Sequence, residues 1–209
     1  MRTTLPALLA IALTVACAVA AVAGVPSSQN STVPPVLATT PAGAIVTGII
    51  VRDIANNVIP NSTVVIDYNN CAGFVPCTEA SSPLPDAYIL DEGTKTIRML
   101  SGPNGQAPFY LRAGGGCSSA GIRIYADGVL ISTIYAASAD QNADLVVDAT
   151  DVALVDGKIG TSDLTGDLDG NGVVNAADES TVSAFVGQGC NNPTDTRRST
   201  WGRVKAIYR

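Results

Sequence analysis

The chain reads as mainly β: a small antiparallel β-sandwich followed by a short, duplicated loop–helix unit. Three observations predict this. Between residues 44 and 135, short runs of alternating or β-branched apolar residues recur, separated by Asn-, Gly- and Pro-rich turns at intervals of roughly 8–12 residues. After residue 138 that alternation gives way to two copies of one pattern, beginning at Asp140 and Asp167, 27 residues apart; the stretches 140–160 and 167–187 agree at seven positions, which marks an internal duplication. Acidity concentrates in the same place, with ten of the 18 acidic residues between Asp140 and Glu179 and only Lys158 to balance them.

A chain of 209 residues accommodates one or two domains. Residues 1–23 are set aside first. Met1-Arg2 is a short positive start, residues 5–22 are an Ala- and Leu-rich apolar run, and Ala21-Val22-Ala23 is a small-residue cleavage pattern. This predicts an export leader cut after Ala23, rather than an anchor, and no transmembrane segment in what remains. A secreted or cell-surface location follows. It agrees with the cysteines left after cleavage, Cys71, Cys77, Cys117 and Cys190, an even number suited to disulfides in an oxidising compartment. Four cysteines allow three pairings and the sequence does not select one; Cys117 is expected to pair with Cys71 or Cys77 across the sandwich. A zinc site is disfavoured because the chain contains no His.

Residues 24–41 are rich in Ser, Thr, Pro and Ala without periodicity and read as a linker. Strands are expected over 44–52, 62–68, 94–100, 107–112, 121–125 and 129–135, with Asp127-Gly128 as a two-residue hairpin turn between the last two. The 71–85 segment, rich in Pro, Ser and Cys, reads as a disulfide-held loop interrupting the sandwich.

Ile50-Val51-Arg52-Asp53, running through Asn56-Asn57 to Ile59-Pro60-Asn61-Ser62-Thr63-Val64, resembles a bacterial Ig-like domain of the invasin/intimin type. Ser101-Gly102-Pro103-Asn104-Gly105-Gln106-Ala107 is similar to a turn of the same family. The resemblance spans about 42–137 and implies a structural spacer or adhesive module.

The duplicated unit carries oxygen ligands at every second residue. Calcium takes six to eight oxygens, and a twelve-residue loop supplies them from positions one, three, five, seven (a backbone carbonyl), nine and twelve. In the second copy these are Asp167, Asp169, Asn171, Val173, Asn175 and Asp178, with Gly172 at the sharp turn of position six. In the first they are Asp140, Asn142, Asp144, Val146, Asp148 and Asp151, with Leu145 in place of the glycine. A left-handed backbone at Leu145 costs on the order of 1–2 kcal/mol, while four carboxylates against three favour a dication. Two calcium ions are therefore expected, the second loop being the surer site. Val174 at position eight is expected to pack on its counterpart Val147. Short helices are expected after each loop, burying Val152, Val155 and Ile159, then Val182, Phe185 and Val186, and closed by Gly160 and Gly187.

No helix is expected before either loop, and the closing residues are Asp rather than the bidentate Glu of an EF-hand. Gly166-Asp167-Leu168-Asp169-Gly170-Asn171-Gly172-Val173-Val174-Asn175-Ala176-Ala177-Asp178 resembles a type I dockerin repeat, and the resemblance covers about 140–189, within a domain expected over 138–189. It implies a cohesin-like protein as partner, in an assembly that degrades polysaccharides. The positions that read the partner fall on Ala149-Thr150 and Ala176-Ala177, which are small and largely featureless. A calcium-stapled structural module with no such partner, or one serving a cell-surface component, is the competing reading.

Without His, Ser–His and Cys–His catalysis is excluded, and no phosphate loop or dinucleotide fingerprint occurs. A carboxylate pair for glycoside hydrolysis would have to come from Asp67, Glu79, Asp86, Asp91 or Glu92, in or beside a loop of a small domain. No enzyme is expected. A net charge of −6 argues against nucleic acid. The basic tail 197–209 holds the only Trp; Trp201, Val204 and Ile207 are expected to pack back on the body, with a sorting signal as the other reading.

Overall fold

The computed structural model describes residues 24–77 and 88–190. The expected leader, Glu79, Asp86 and the basic tail with Trp201 lie outside the described residues. The fold is mainly β. In chain order the strands are β1 (Val36–Thr39), β2 (Thr47–Ile50), β3 (Thr63–Asp67), β4 (Val75–Pro76), β5 (Ile89–Asp91), β6 (Thr96–Leu100), β7 (Gln106–Phe109), β8 (Ala113–Gly114), β9 (Cys117–Ala126) and β10 (Val129–Ser138); helices α1 (Ala149–Asp156) and α2 (Ala176–Ala184) follow.

Six strands form one curled sheet in the order β1-β10-β9-β3-β6-β5, while β2 pairs with β7 and β4 with β8. Alternation decides which side chains turn inward. Val64 and Ile66 of β3, Ile97 of β6 and Ile122 and Ile124 of β9 are buried together with Ile49 of β2 and Ala107 and Phe109 of β7. Each large side chain buried this way contributes about 1.5–3 kcal/mol. The β9–β10 hairpin turns on Asp127 (φ 46°) and Gly128 (φ 81°), the left-handed pair that a two-residue turn requires. Asp127 also accepts from the Thr63 N–H at 2.8 Å, tying the turn to β3.

The stretch expected as a linker is part of the fold. β1 pairs in parallel with β10, Val36 opposite Tyr135 and Thr39 opposite Ser138, so the sheet is not wholly antiparallel. All four β1 residues are buried because the strand is covered on both faces: Leu37 joins the main core, while Val36 and Ala38 face a second cluster. A strand buried on both faces loses the polar alternation by which strands are recognised. β10 shows the same change along its length. Up to Tyr135 only Ile131 and Ile134 are buried, with a register shift beside each, and then Ala136, Ala137 and Ser138 are all buried. Small residues there let a second layer approach closely.

That layer is the duplicated unit. Val147, Val155, Leu168, Val174 and Val182 pack with Val36, Ala38, Ala137 and Ala139 in the second cluster. The helices end earlier than expected, at Asp156 and Ala184, with Gly157 and Phe185 as caps. Helical spacing therefore no longer applies to Ile159 and Val186, and both are exposed. Gly160 (φ 81°) and Gly187 (φ 90°) instead turn the chain after each helix.

Two disulfides close the structure. Cys71–Cys117 is one of the two pairings expected for Cys117, and Cys77–Cys190 joins the β-body to the end of the second repeat. The Cys-rich loop is not wholly irregular, since β4 lies within it and pairs with β8.

Candidate metal centre

The two loops have the same backbone design. Each helix begins at position nine of its loop, where Asp148 or Asn175 is an N-cap accepting from the N–H two residues on, at 2.6 and 2.7 Å. Position twelve is the third helical residue and completes a capping box. Asp151 accepts from the N–H groups of Gln141 (2.8 Å) and Asn142 (3.3 Å) through one oxygen and from Asp148 (2.8 Å) through the other. Asp178 repeats this with Leu168 (2.8 Å), Asp169 (3.3 Å) and Asn175 (3.0 Å). These fully buried carboxylates hold the start of each loop against its end.

Position one is equivalent in the two loops as well. Asp140 accepts from the Leu145 N–H at 2.8 Å, and Asp167 from the Gly172 N–H at 2.7 Å. The turn that allows this is left-handed at positions four and six: φ is 76° and 90° at Gly170 and Gly172, and 61° and 69° at Ala143 and Leu145. The first loop thus keeps the geometry with two side chains in the region that favours glycine. Leu145 gains something in return, because its side chain packs on the Cys77–Cys190 disulfide.

Three carboxylates at ligand positions come together in the second loop. Asp167, Asp169 and Asp178 each offer an oxygen, and these atoms lie within 4.8 Å of one another. The matching first-loop residues are Asp140, Asn142 and Asp151, one carboxylate fewer. Around the rims, Asn171 donates to Asp169 (2.9 Å) and Asn142 to Asp144 (2.8 Å), while Asn175 donates to the Val173 carbonyl (3.2 Å). Val146 and Val173 are exposed, their side chains outside the loops.

The electrostatics fit a cation. Asp140 is fully buried and its Oδ1 has no hydrogen-bond partner among the described residues. Burial pushes its carboxyl up to about 6, the Leu145 N–H opposing and the Asp151 and Asp144 carboxylates adding to the rise. Burial also disfavours the charge on Asp167, but the Tyr135 hydroxyl and the Gly172 and Gly170 N–H groups hold its carboxyl below the ordinary value. Asp169 is raised, chiefly by burial and further by its carboxylate neighbours Asp167 and Asp178. Carboxylates crowded this closely repel unless a positive charge sits among them. Lys158 does not supply it: its ammonium donates to Gln141 (2.7 Å) and Thr165 (2.8 Å) and faces Asp163 (3.6 Å).

Val147 and Val174 share one cluster as expected, but their backbones pair elsewhere. Val174 exchanges hydrogen bonds with Gly160 (2.8 Å) and Thr161 (3.0 Å), beyond α1, and Val147 with Gly187 and Gln188 (both 2.8 Å), beyond α2. Each loop is thereby clamped by the other repeat.

Several site residues lie beyond the reach of a loop motif. Tyr135 donates to Asp167 at 2.7 Å. The Ser138 hydroxyl lies within donating distance of the Ala113 carbonyl on β8 (3.0 Å) and the Thr39 carbonyl on β1 (3.2 Å), and it accepts the Asp140 N–H at 3.2 Å. Gly115 donates to the Asp140 carbonyl at 2.7 Å, and a β carbon on Gly114 would collide with Asp140 Oδ2. Ala143 could have been noticed from Gly170 at the same loop position. Of the carboxylates considered for hydrolysis, Asp67 faces Arg123 at 4.0 Å and Asp91 accepts the N–H groups of its own turn, Gly93 (3.0 Å) and Thr94 (3.1 Å).

No family model matches the chain, and neither does any curated protein or solved structure. Among the described residues, no helix is long and apolar enough to cross a membrane.

Proposed function

We propose that the chain is an exported, non-catalytic modular protein in which an Ig-like β-sandwich is joined to a dockerin-like pair of calcium loops, and that it serves as a structural or adhesive module. The observation that carries this reading is the congruence of the two loops. Each opens on a buried Asp and closes on a buried Asp that gathers three backbone N–H groups, with two left-handed turns between. Asp140, Asn142, Asp144, the Val146 carbonyl, Asp148 and Asp151 would hold one ion; Asp167, Asp169, Asn171, the Val173 carbonyl, Asn175 and Asp178 would hold the other. A bound dication would neutralise the crowded carboxylates and cross-link loop to helix, stiffening the layer packed on β1 and β10. Two disulfides support an oxidising destination.

A cohesin-like partner, in a polysaccharide-degrading assembly, is the second reading. What favours it is that Ala149 and Thr150 open α1, Ala176 and Ala177 open α2, and all four are exposed.

The test is calorimetric titration of calcium into the chelator-treated mature protein, with thermal unfolding recorded alongside. Two bound ions and a raised unfolding temperature are expected; absence of binding would overturn the reading. Calcium-dependent capture of a purified cohesin domain would replace the purely structural role by the second one.

A further inference from the structure

We propose that Tyr135, a residue of the sheet and of neither loop, is a positioning residue for the second calcium site. It fixes the carboxylate of Asp167, the first ligand of that loop. The inference rests on the calcium reading and adds to it a residue that no loop motif contains.

Tyr135 stands on β10 opposite Val36 of β1, with its ring packed against the second cluster. Its hydroxyl is therefore carried by the sheet, and it donates to Asp167 Oδ2 at 2.7 Å. The other donors to Asp167 belong to its own loop: Gly172 to Oδ2 at 2.7 Å, and Gly170 and Asn171 to Oδ1 at 2.8 and 3.1 Å. Those three bonds form only when the loop is already closed. The tyrosine bond is the one that can select the carboxylate rotamer independently of the loop.

The first loop serves as an internal control. Asp140 takes the Leu145 N–H as Asp167 takes that of Gly172, yet among the described residues no side chain donates to it, and its Oδ1 has no partner. The two sites thus share a loop design and differ in whether the sheet orients the first ligand. Groups that orient a metal ligand from outside the coordination sphere are typically worth about 10–100-fold in affinity. Because binding linkage is reciprocal, an ion in the second loop also strengthens the attachment of that loop to β10.

The experiment is Tyr135→Phe in the full mature protein, a change that keeps the packed ring and removes only the donor. Calcium titration is expected to show one site weakened about tenfold, the other unchanged, and the unfolding temperature in chelator close to that of the parent. Terbium identifies the site: excited through tyrosine, it should luminesce strongly in the second loop, and Tyr135→Phe should lose most of that emission at saturating terbium while Tyr125→Phe retains it. Unchanged affinity at both sites would overturn the proposal, as would an equal loss at both accompanied by a lower unfolding temperature in chelator. If the parent binds two ions and Tyr135→Phe behaves like it, only this inference falls; if the parent binds none, the calcium reading falls with it.

Discussion

Replacing Gly170 and Gly172 one at a time by Ala separates two reasons for a glycine within a single loop. Both have positive φ, 76° and 90°, so either alanine incurs about 1–2 kcal/mol of backbone strain. Their surroundings differ. A β carbon on Gly172 meets nothing within 4 Å, whereas one on Gly170 lies 2.6 Å from Pro35 Cγ and 3.1 Å from Val36 Cγ1. A proline ring has little freedom to turn away, so overpacking adds about 1–2 kcal/mol. Gly172→Ala is therefore expected to cost about 1–2 kcal/mol and Gly170→Ala about 2–4 kcal/mol. The assay is urea unfolding in chelator, which keeps ion affinity out of the comparison. Adding Pro35→Ala should return about 1–2 kcal/mol to Gly170→Ala and nothing to Gly172→Ala, a coupling that a double-mutant cycle isolates. Equal costs for the two alanines, or no recovery with Pro35→Ala, would refute the seating of the second loop against the start of β1.

Other expectations follow from the first loop and its disulfide. Ala143→Gly should stabilise the protein by up to about 1 kcal/mol, since it relieves a left-handed alanine, whereas Leu145→Gly should be near neutral because relief is offset by lost packing on Cys77–Cys190; thermal unfolding of the two variants checks the contrast. Changing Cys77 and Cys190 together to Ser should cost about 2–4 kcal/mol and weaken calcium at the first loop more than at the second, because the Cys190 N–H donates to the Leu145 carbonyl at 3.2 Å; unfolding and calorimetry on the same variant read both effects. In the ion-free protein the contribution of Asp140 to stability should fall as pH rises. Asp140 is pushed up to about 6 in the fold, against about 3.9 when unfolded, so the native state holds its proton more tightly. Its contribution is intact below about pH 4 and is lost between about pH 4 and 6. The difference in unfolding temperature between parent and Asp140→Asn in chelator measures it, and saturating calcium should reverse the slope.

The parts of this fold visible in the sequence are those with one buried face. All six expected strand regions contain a strand, and the Asp127–Gly128 turn is where its chemistry put it. β1 was hidden because burial on both faces removes alternation, and its neighbours Pro34 and Pro35 suggest a linker. The ligand positions were legible because a twelve-residue loop is a local pattern. What holds them is not local: Tyr135 reaches Asp167 across 32 residues, and Cys190 reaches Cys77 across 113. Spacing along the chain carries no record of such contacts. The helix ends were misplaced because apolar spacing continues through Ile159 and Val186, where the chain has already left the helix.

The Cys77–Cys190 bond has a mechanical consequence. Tension applied between residue 24 and residue 190 runs along the chain to Cys77 and crosses the disulfide directly to Cys190. The intervening chain, which includes both loops and both helices, lies outside that covalent path. With the bond closed, full extension of this stretch yields about 180 Å from residues 24–77; with it alone reduced, Cys71–Cys117 still bypasses the loop between them, so residues 24–71 and 117–190 pay out and the length is about 410 Å. The loop-and-helix layer is thus loaded only through its non-covalent contacts with β1, so a stretched molecule can lose its β1–β10 pairing while Cys190 remains covalently tied to Cys77.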